Sequence, residues 1–272
     1  MPNSPVTLVP QWPRSRKVVI GMIHLLPLPG SPRYGGEIKA VREAALRDAG
    51  ALQDGGVYGL MIENFGDVPF YPGRVPAHTV AAMTVLASEV RRRFPGVPLG
   101  INVLRNDGRS ALAIAAAVGA PFIRVNILCG ARVADQGLLQ GIAHDLLRDR
   151  AMLGAHDVKI LADVDVKHSA PLAAISLESE VEDTLHRGLA DALIVSGSGT
   201  GKPTDPAHVQ RVKRAAGDAP VFVGSGVDEH TLAALLAHAD GFVVGTAFKR
   251  DGKANNPVDG DRVARIMSNQ NH

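Results

Sequence analysis

Eight short apolar runs, each rich in β-branched residues and each followed by a helical pattern, restrict this chain more than any other feature. They are KVVIGMIH (17–24), GLMIEN (59–64), PLGINVL (98–104), FIRVNIL (122–128), KILADVDV (159–166), ALIVSGSG (192–199), PVFVGSG (220–226) and GFVVGTAF (241–248). A parallel sheet covered on both faces requires near-continuous apolar strands of this kind. The first intervening stretch, EIKAVREAALRDAGALQDGG, closes on a Gly pair suited to a helix C-terminus. The second, TVAAMTVLASEVRRRFPG, is expected to start at a Thr cap, and DPAHVQRV places Pro just inside a helix start. Eight alternations in 272 residues, with no insertion long enough for a second domain, predict one α/β unit. That unit is a (β/α)8 TIM barrel over 17–267 rather than an open doubly wound sheet. Residues 1–16 are expected to cover one end of the barrel and 268–272 to fray.

Composition removes several function classes. The formal net charge is +2 and the basic residues are scattered, so no nucleic-acid-binding stripe is present. The one cysteine, Cys129, excludes an internal disulfide and a multi-cysteine metal cluster, and fits a reducing cytoplasm. The first residues contain four prolines and no apolar core, unlike a signal peptide. No apolar run approaches the roughly 20 residues of a membrane helix. A cytoplasmic protein is the expectation, and a homo-oligomer, which the apolar outer helices allow without requiring.

The segments after the strands are long, as in LLPLPGSPRYGG and FGDVPFYPGRVPAH, and those before them short, as in GGVY and PGV. Barrel enzymes build their sites on such long loops at the C-terminal face. The strand ends then deliver His24, Glu63 with Asn64, Asn102, Arg124 with Asn126, Asp163 through His168, and Ser196 to one mouth. Within ADVDVKHS, strand alternation puts Val164 and Val166 on the helix side. Asp163, Asp165 and Lys167 should then face inward as a ladder beside Arg124 and Asn126, with Asp165 paired to Arg124 or Lys167. Uncompensated burial of these charges would be costly. The ladder is therefore either a structural ion-pair network or a reactive centre. In the second case Asp163 or Asp165 is a general acid/base, and Lys167 an electrostatic partner or amine nucleophile. Glu63 and His24 join the catalytic candidates. Asn64, Asn102, Arg124, Asn126, His168 and Ser196 are candidate substrate contacts.

Gly-rich turns close the last three strands: SGSGTG (196–201), GSGVD (224–228) and GTAFK (245–249). In barrels, the loops after strands seven and eight often hold a phosphate by backbone N–H groups. Gly224, Ser225, Gly226, Gly245 and Thr246 are the candidate donors, with Lys249 as counter-charge. SGSGTGKPT is not a P-loop, because Ser196 and Pro203 occupy positions where that motif needs Gly and Ser/Thr. No cofactor is called for. A divalent ion held by Glu63, Asn64 and Asp163 is an open option, although no spacing compels it. Cys129 at a loop start reads as a small apolar residue before it reads as a nucleophile.

The motifs GMIHLLPLPGSP, GLMIENFGDVPF, GINVLRND, FIRVN, ADQGL, ADVDVKHS, DALIVSGSGTG, VGSGV and VGTAFK together resemble the BtpA family, from about Lys17 to Ile266. That group is associated with photosystem I biogenesis and with SgcQ-like proteins of bacterial sugar operons. Tyr58 stands where the resemblance leads one to expect Asp. The resemblance implies a barrel of the ribulose-phosphate-binding kind and supplies no established reaction or catalytic residues. Two functions compete. One is an enzyme acting on a small phosphorylated or ribosyl-containing metabolite, as isomerase, lyase or aldolase, or glycosidic-bond hydrolase. The other is a non-catalytic assembly factor using the barrel as a scaffold. A flavin- or nucleotide-binding barrel is a weaker third.

Overall fold

The computed structural model describes residues 8–197, 199 and 203–269. The apolar runs form the barrel strands β1 (Val18–His24), β2 (Gly59–Glu63), β3 (Leu99–Asn102), β4 (Phe122–Val125) and β5 (Lys159–Val164). They continue as β6 (Ala192–Val195), β7 (Val221–Val223) and β8 (Gly241–Val244). Every strand pairs in parallel with its sequence neighbours, and β8 closes onto β1. The register aligns His24 with Glu63, Glu63 with Asn102, and Asn102 with Arg124, so polar strand ends meet in one rim.

Helices fill the connections: α1 (Ile38–Asp54), α2 (Ala77–Arg93), α3 (Gly108–Val118), α4 (Ala143–Met152), α5 (Leu177–Glu182), α6 (Pro206–Ala216), α7 (Leu232–Leu236) and α8 (Gly260–Asn269). Helix α2 starts one turn earlier than the Thr signal suggests, with Pro76 at its cap and Thr79 buried inside it. The Asp107 carboxylate caps α3 by accepting from Ser110 N at 3.0 Å. Helix α8 runs through Ser268 and Asn269, two of the residues expected to fray. No helix among the described residues is long and apolar enough to cross a membrane.

Strand alternation divides the apolar residues into two layers. Ile23, Ile62, Ile101, Ile123 and Val195 pack outward against the helices. Ile20, Met61, Phe122, Leu161, Ile194 and Phe222 fill the barrel interior together with Val9 and Trp12, which precede the first strand. The Trp12 ring lies 5.3 Å from that of Phe122 and 5.8 Å from that of Phe222. The lower barrel is therefore filled by side chains, and a cavity opens at the opposite end. Gly100 shows how tight this filling is, since a Cβ there would overlap the Phe122 ring. Gly100→Ala is expected to cost about 1–3 kcal/mol by overpacking, measurable by urea denaturation.

One element escaped the sequence reading. The loop after β4 folds into a hairpin of strands Ala131–Ala134 and Gly137–Gln140, and Ser169–Pro171 adds a third antiparallel strand. Four-residue strands with mixed exposure leave too short a pattern to separate from a loop.

Candidate active site

The C-terminal mouth opens into a cavity of about 450 Å³. His24, Glu63, Arg124, Asn126, Lys167 and His168 line one part of it. The loop residues Gly224, Ser225, Gly226, Gly245 and Thr246 line another. Phe65, Val68 and Phe70 add an apolar wall.

The expected ladder on the fifth strand is broken after its first rung. Asp163 points inward as alternation requires, but it does not line the cavity. Its Oδ1 accepts from Arg124 Nε at 3.0 Å, and its Oδ2 accepts from Arg124 at 3.0 Å and Asn126 at 2.6 Å. Both side chains are almost wholly buried, 4% exposed for Arg124 and 0% for Asp163. Asp163 thus supports Arg124 and Asn126 from below rather than facing a substrate.

Asp165 corrects the expectation outright. The strand ends at Val164, and Asp165 takes a φ of 46°, which breaks the pleat. Its carboxylate leaves the barrel and accepts from Arg132 at 2.9 Å, not from Arg124 or Lys167. Arg132 also bonds Ser169 Oγ at 2.7 Å and Glu180 Oε1 at 3.1 Å, so one buried guanidinium ties the hairpin to the turn after β5. Val166 then drops beneath the small sheet against Ile127 and Leu139, and Lys167 returns to the cavity.

Electrostatics separate the groups that remain. Burial, with the charge of Arg124 adding to it, lowers the Lys167 amine to about 8. Burial raises the Glu63 carboxyl, against the pull of Arg124 and Lys167. Asn102 donates to Glu63 Oε2 at 2.5 Å and so orients that carboxyl. Burial, followed by the charge of Lys249, lowers His24 to about 3, so its ring is neutral at ordinary pH. The His24 Nδ1 lies 3.2 Å from the Ala254 carbonyl, which can only accept, so Nδ1 carries the proton. Nε2 is then an acceptor, 3.9 Å from Glu63 Oε1. The imidazole stacks on Phe65 with centroids 4.2 Å apart.

The two glycine loops reach the cavity with changes to the candidate list. Gly224 N–H donates to Val195 O at 2.7 Å, so this residue lines the site without a free amide. Only Gly fits there, because a Cβ would collide with Ile194 and crowd Ser196 and Arg124. Lys249 is a correction. It is 1% exposed and its ammonium lies 2.7 Å from Asp48 Oδ2 on α1, outside the cavity lining. Full burial of an ammonium requires a dedicated partner, and Asp48 supplies it. Of the turn SGSGTG after β6, Ser198, Thr200 and Gly201 lie outside the described residues, as does the Lys202 that follows it. Ser196 is buried below the lining, and its hydroxyl has no hydrogen-bond partner among the described residues.

Asn64 is also internal. It accepts from Leu104 N at 2.7 Å and donates to Asp67 at 3.2 Å, holding the loops after β2 and β3 together. The oxygen trio of Glu63, Asn64 and Asp163 is therefore committed to separate partners. Sequence reasoning missed Arg105, Asp135, Gln136, Asp228 and Arg262, all of which line the cavity. Arg105 follows β3 in GINVLRND, three residues past Asn102 at the strand end. Asp135 and Gln136 sit at the tip of the hairpin. The length of that loop was the one available signal.

The fold is a (β/α)8 barrel. It is similar to the tryptophan synthase alpha chain of Legionella pneumophila, with TM-score 0.59 and 13% identity over 94% of this chain and 92% of that one. It is similar to N-(5'-phosphoribosyl)anthranilate isomerase of Pyrococcus furiosus, with TM-score 0.57 and 11% identity over 94% and 98% of the two chains. At these identities the likeness is one of fold alone. In sequence, the chain is 49% identical over 249 residues to the photosystem I biogenesis protein BtpA of Synechocystis, covering 92% of this chain and 86% of that one. The model of the BtpA family matches residues 15–272, and the chain belongs to that family.

Proposed function

We propose that this protein is an enzyme acting on a small phosphorylated or ribosyl-containing metabolite, with its phosphate on the loops after β7 and β8. Lys167 is the reacting amine, Glu63 the proton donor and acceptor, and His24 Nε2 an acceptor for a substrate hydroxyl. Asn126 and His168 are further substrate contacts. One observation carries this reading: a half-buried lysine and two glycine loops share a single cavity of about 450 Å³. An amine lowered to about 8 is partly neutral under ordinary conditions, as attack on a carbonyl carbon requires. In such a step the Lys167 nitrogen bonds to the carbonyl carbon, and the oxygen leaves as water after proton transfers in which Glu63 takes part. Lyase or aldolase and isomerase chemistry use this imine, and amine-mediated proton transfer without an adduct serves isomerisation equally. Structures as distant in sequence as the phosphoribosyl isomerase support the choice of substrate class by fold analogy only.

The scaffold reading rests on the biogenesis name of a relative. It leaves Lys167, Glu63 and Arg124 converging on a cavity without a reason. A thermal-shift panel of sugar phosphates separates the two readings. A ligand that raises the melting temperature of wild type, and does so less in Gly226→Asp, is expected, because a carboxylate in that loop repels phosphate. A flat panel in wild type would favour the scaffold. Incubation with borohydride and the stabilising ligand, followed by intact mass, then tests the imine. No adduct on Lys167 would leave proton transfer as the chemistry.

A further inference from the structure

Arg105 is a buried cavity residue without an ion pair among the described residues. Its side chain is buried, with 6% of the residue exposed, yet among the described residues no carboxylate oxygen lies within 4.0 Å of its guanidinium. Arg124, by contrast, is neutralised by Asp163. Of the five N–H donors of a guanidinium, Arg105 spends one on the Lys167 carbonyl at 2.7 Å and one on Asn126 Oδ1 at 3.4 Å, a weak contact. A neutral amide would serve both contacts. Burying an unpaired cation is costly unless a partner arrives with the ligand. Arg124 and Lys167 line the same cavity, and the carboxylates that act on Arg105 do so from beyond 4.0 Å: Asp163, already paired to Arg124, then Glu63 and Asp135. The loop after β3 and the loop after β7 also lie opposite each other in the eight-strand ring, so Arg105 faces the glycine loops across the mouth.

We propose that the ligand carries a second anionic group, a carboxylate, which docks on the free edge of Arg105 opposite the phosphate. The substrate class narrows to phosphorylated sugar acids or oxo acids. This rests on the phosphate reading above for one end of the ligand, while the Arg105 end stands on its own geometry. A guanidinium holds a carboxylate through two parallel N–H bonds, with better fit than an ammonium achieves.

Isothermal titration of wild type, Arg105→Gln and Arg105→Lys tests the assignment with two matched pairs of different length. These are glycerol 3-phosphate with 3-phosphoglycerate, and sorbitol 6-phosphate with 6-phosphogluconate; glycerate and gluconate serve as probes without phosphate. In wild type, the carboxylate member of the pair that spans the cavity is expected to bind at least about tenfold more tightly than its alcohol partner. Arg105→Gln brings the two members to parity and leaves the Kd of the alcohol phosphate within about twofold, and Arg105→Lys keeps part of the gain. Melting curves confirm that both variants are folded. Equal affinities within both pairs in wild type overturn the inference while leaving the phosphate reading intact. So does a gain that survives in Arg105→Gln. Gluconate or glycerate binding as tightly as its phosphorylated form, in an Arg105-dependent way, overturns the phosphate reading and supports the carboxylate site. Absence of binding by all six probes overturns both.

Discussion

Asp163→Ala is expected to destabilise the protein by about 3–5 kcal/mol, because it leaves the Arg124 guanidinium buried without its counter-charge. Asp163 accepts two hydrogen bonds from Arg124 at 3.0 Å and one from Asn126 at 2.6 Å. With the partners 4% and 0% exposed, water cannot replace those bonds. Asp163→Asn retains one acceptor and should lose less. Replacing the pair together, Arg124→Met with Asp163→Leu, is expected to cost less than Asp163→Ala, since the desolvation of both ions disappears with them and only the Asn126 amide is left without its acceptor. Urea denaturation of the three variants at pH 7 reads these differences. A loss below about 1 kcal/mol for Asp163→Ala would mean that solvent reaches Arg124 and that the pair is not the closed unit described above.

Lys167→Met has the opposite sign for stability. The amine titrates at about 8 in the fold and at 10.5 when free. Below pH 8 the folded chain must carry a buried ammonium that the unfolded chain hydrates. The unfolded state binds more protons between these two values, so stability rises with pH across that window. The unfavourable contribution is full below pH 8 and gone above about 10.5, and 2.5 pKa units correspond to about 3 kcal/mol. Partial access of solvent to the side chain makes that an upper figure. Lys167→Met should therefore unfold at higher urea than wild type at pH 7, with the gap closing by about pH 11. The same variant should abolish turnover of any substrate found in the cavity panel. A variant that is more stable and inactive is the signature of a group held in a strained electrostatic state for chemistry. Equal stability across the pH range would mean that Lys167 stays solvated, and the imine reading would lose its physical basis.

Much of the architecture was legible in local pattern. Eight β-branched runs and the loop-length asymmetry specify a parallel barrel whose polar strand ends meet at one face, because burial on both sides of a parallel sheet leaves few other places for polar residues. His24 and Glu63 were placed at the mouth as strand ends and Arg124 and Asn126 by alternation, and all four line the cavity; Lys167 lines it too, although it lies past the end of the strand on which alternation placed it. The same reasoning failed at Asp165, where a left-handed backbone ends the alternation. It failed at Lys249 because a glycine loop invites an anion in sequence, whereas the partner, Asp48, lies about 200 positions away. Arg105 was overlooked because a loop residue beyond a strand has no periodicity to point it.

The run ADVDVKHS shows where local and long-range information divide. Strand order, the inward face of Asp163 and the outward face of Val164 follow from alternation and burial, which are properties of neighbours along the chain. Tertiary structure decided which charges pair. Asp163 is answered by Arg124 from the adjacent strand, Asp165 by Arg132 from a hairpin, and Lys249 by Asp48 from the first helix. Ion pairs form between whichever groups the fold brings within a few ångströms, and desolvation decides which of them can stay charged. Sequence therefore determined the barrel and the rim of the site. Only the folded chain decided which cations are already satisfied and left Lys167 and Arg105 facing the cavity.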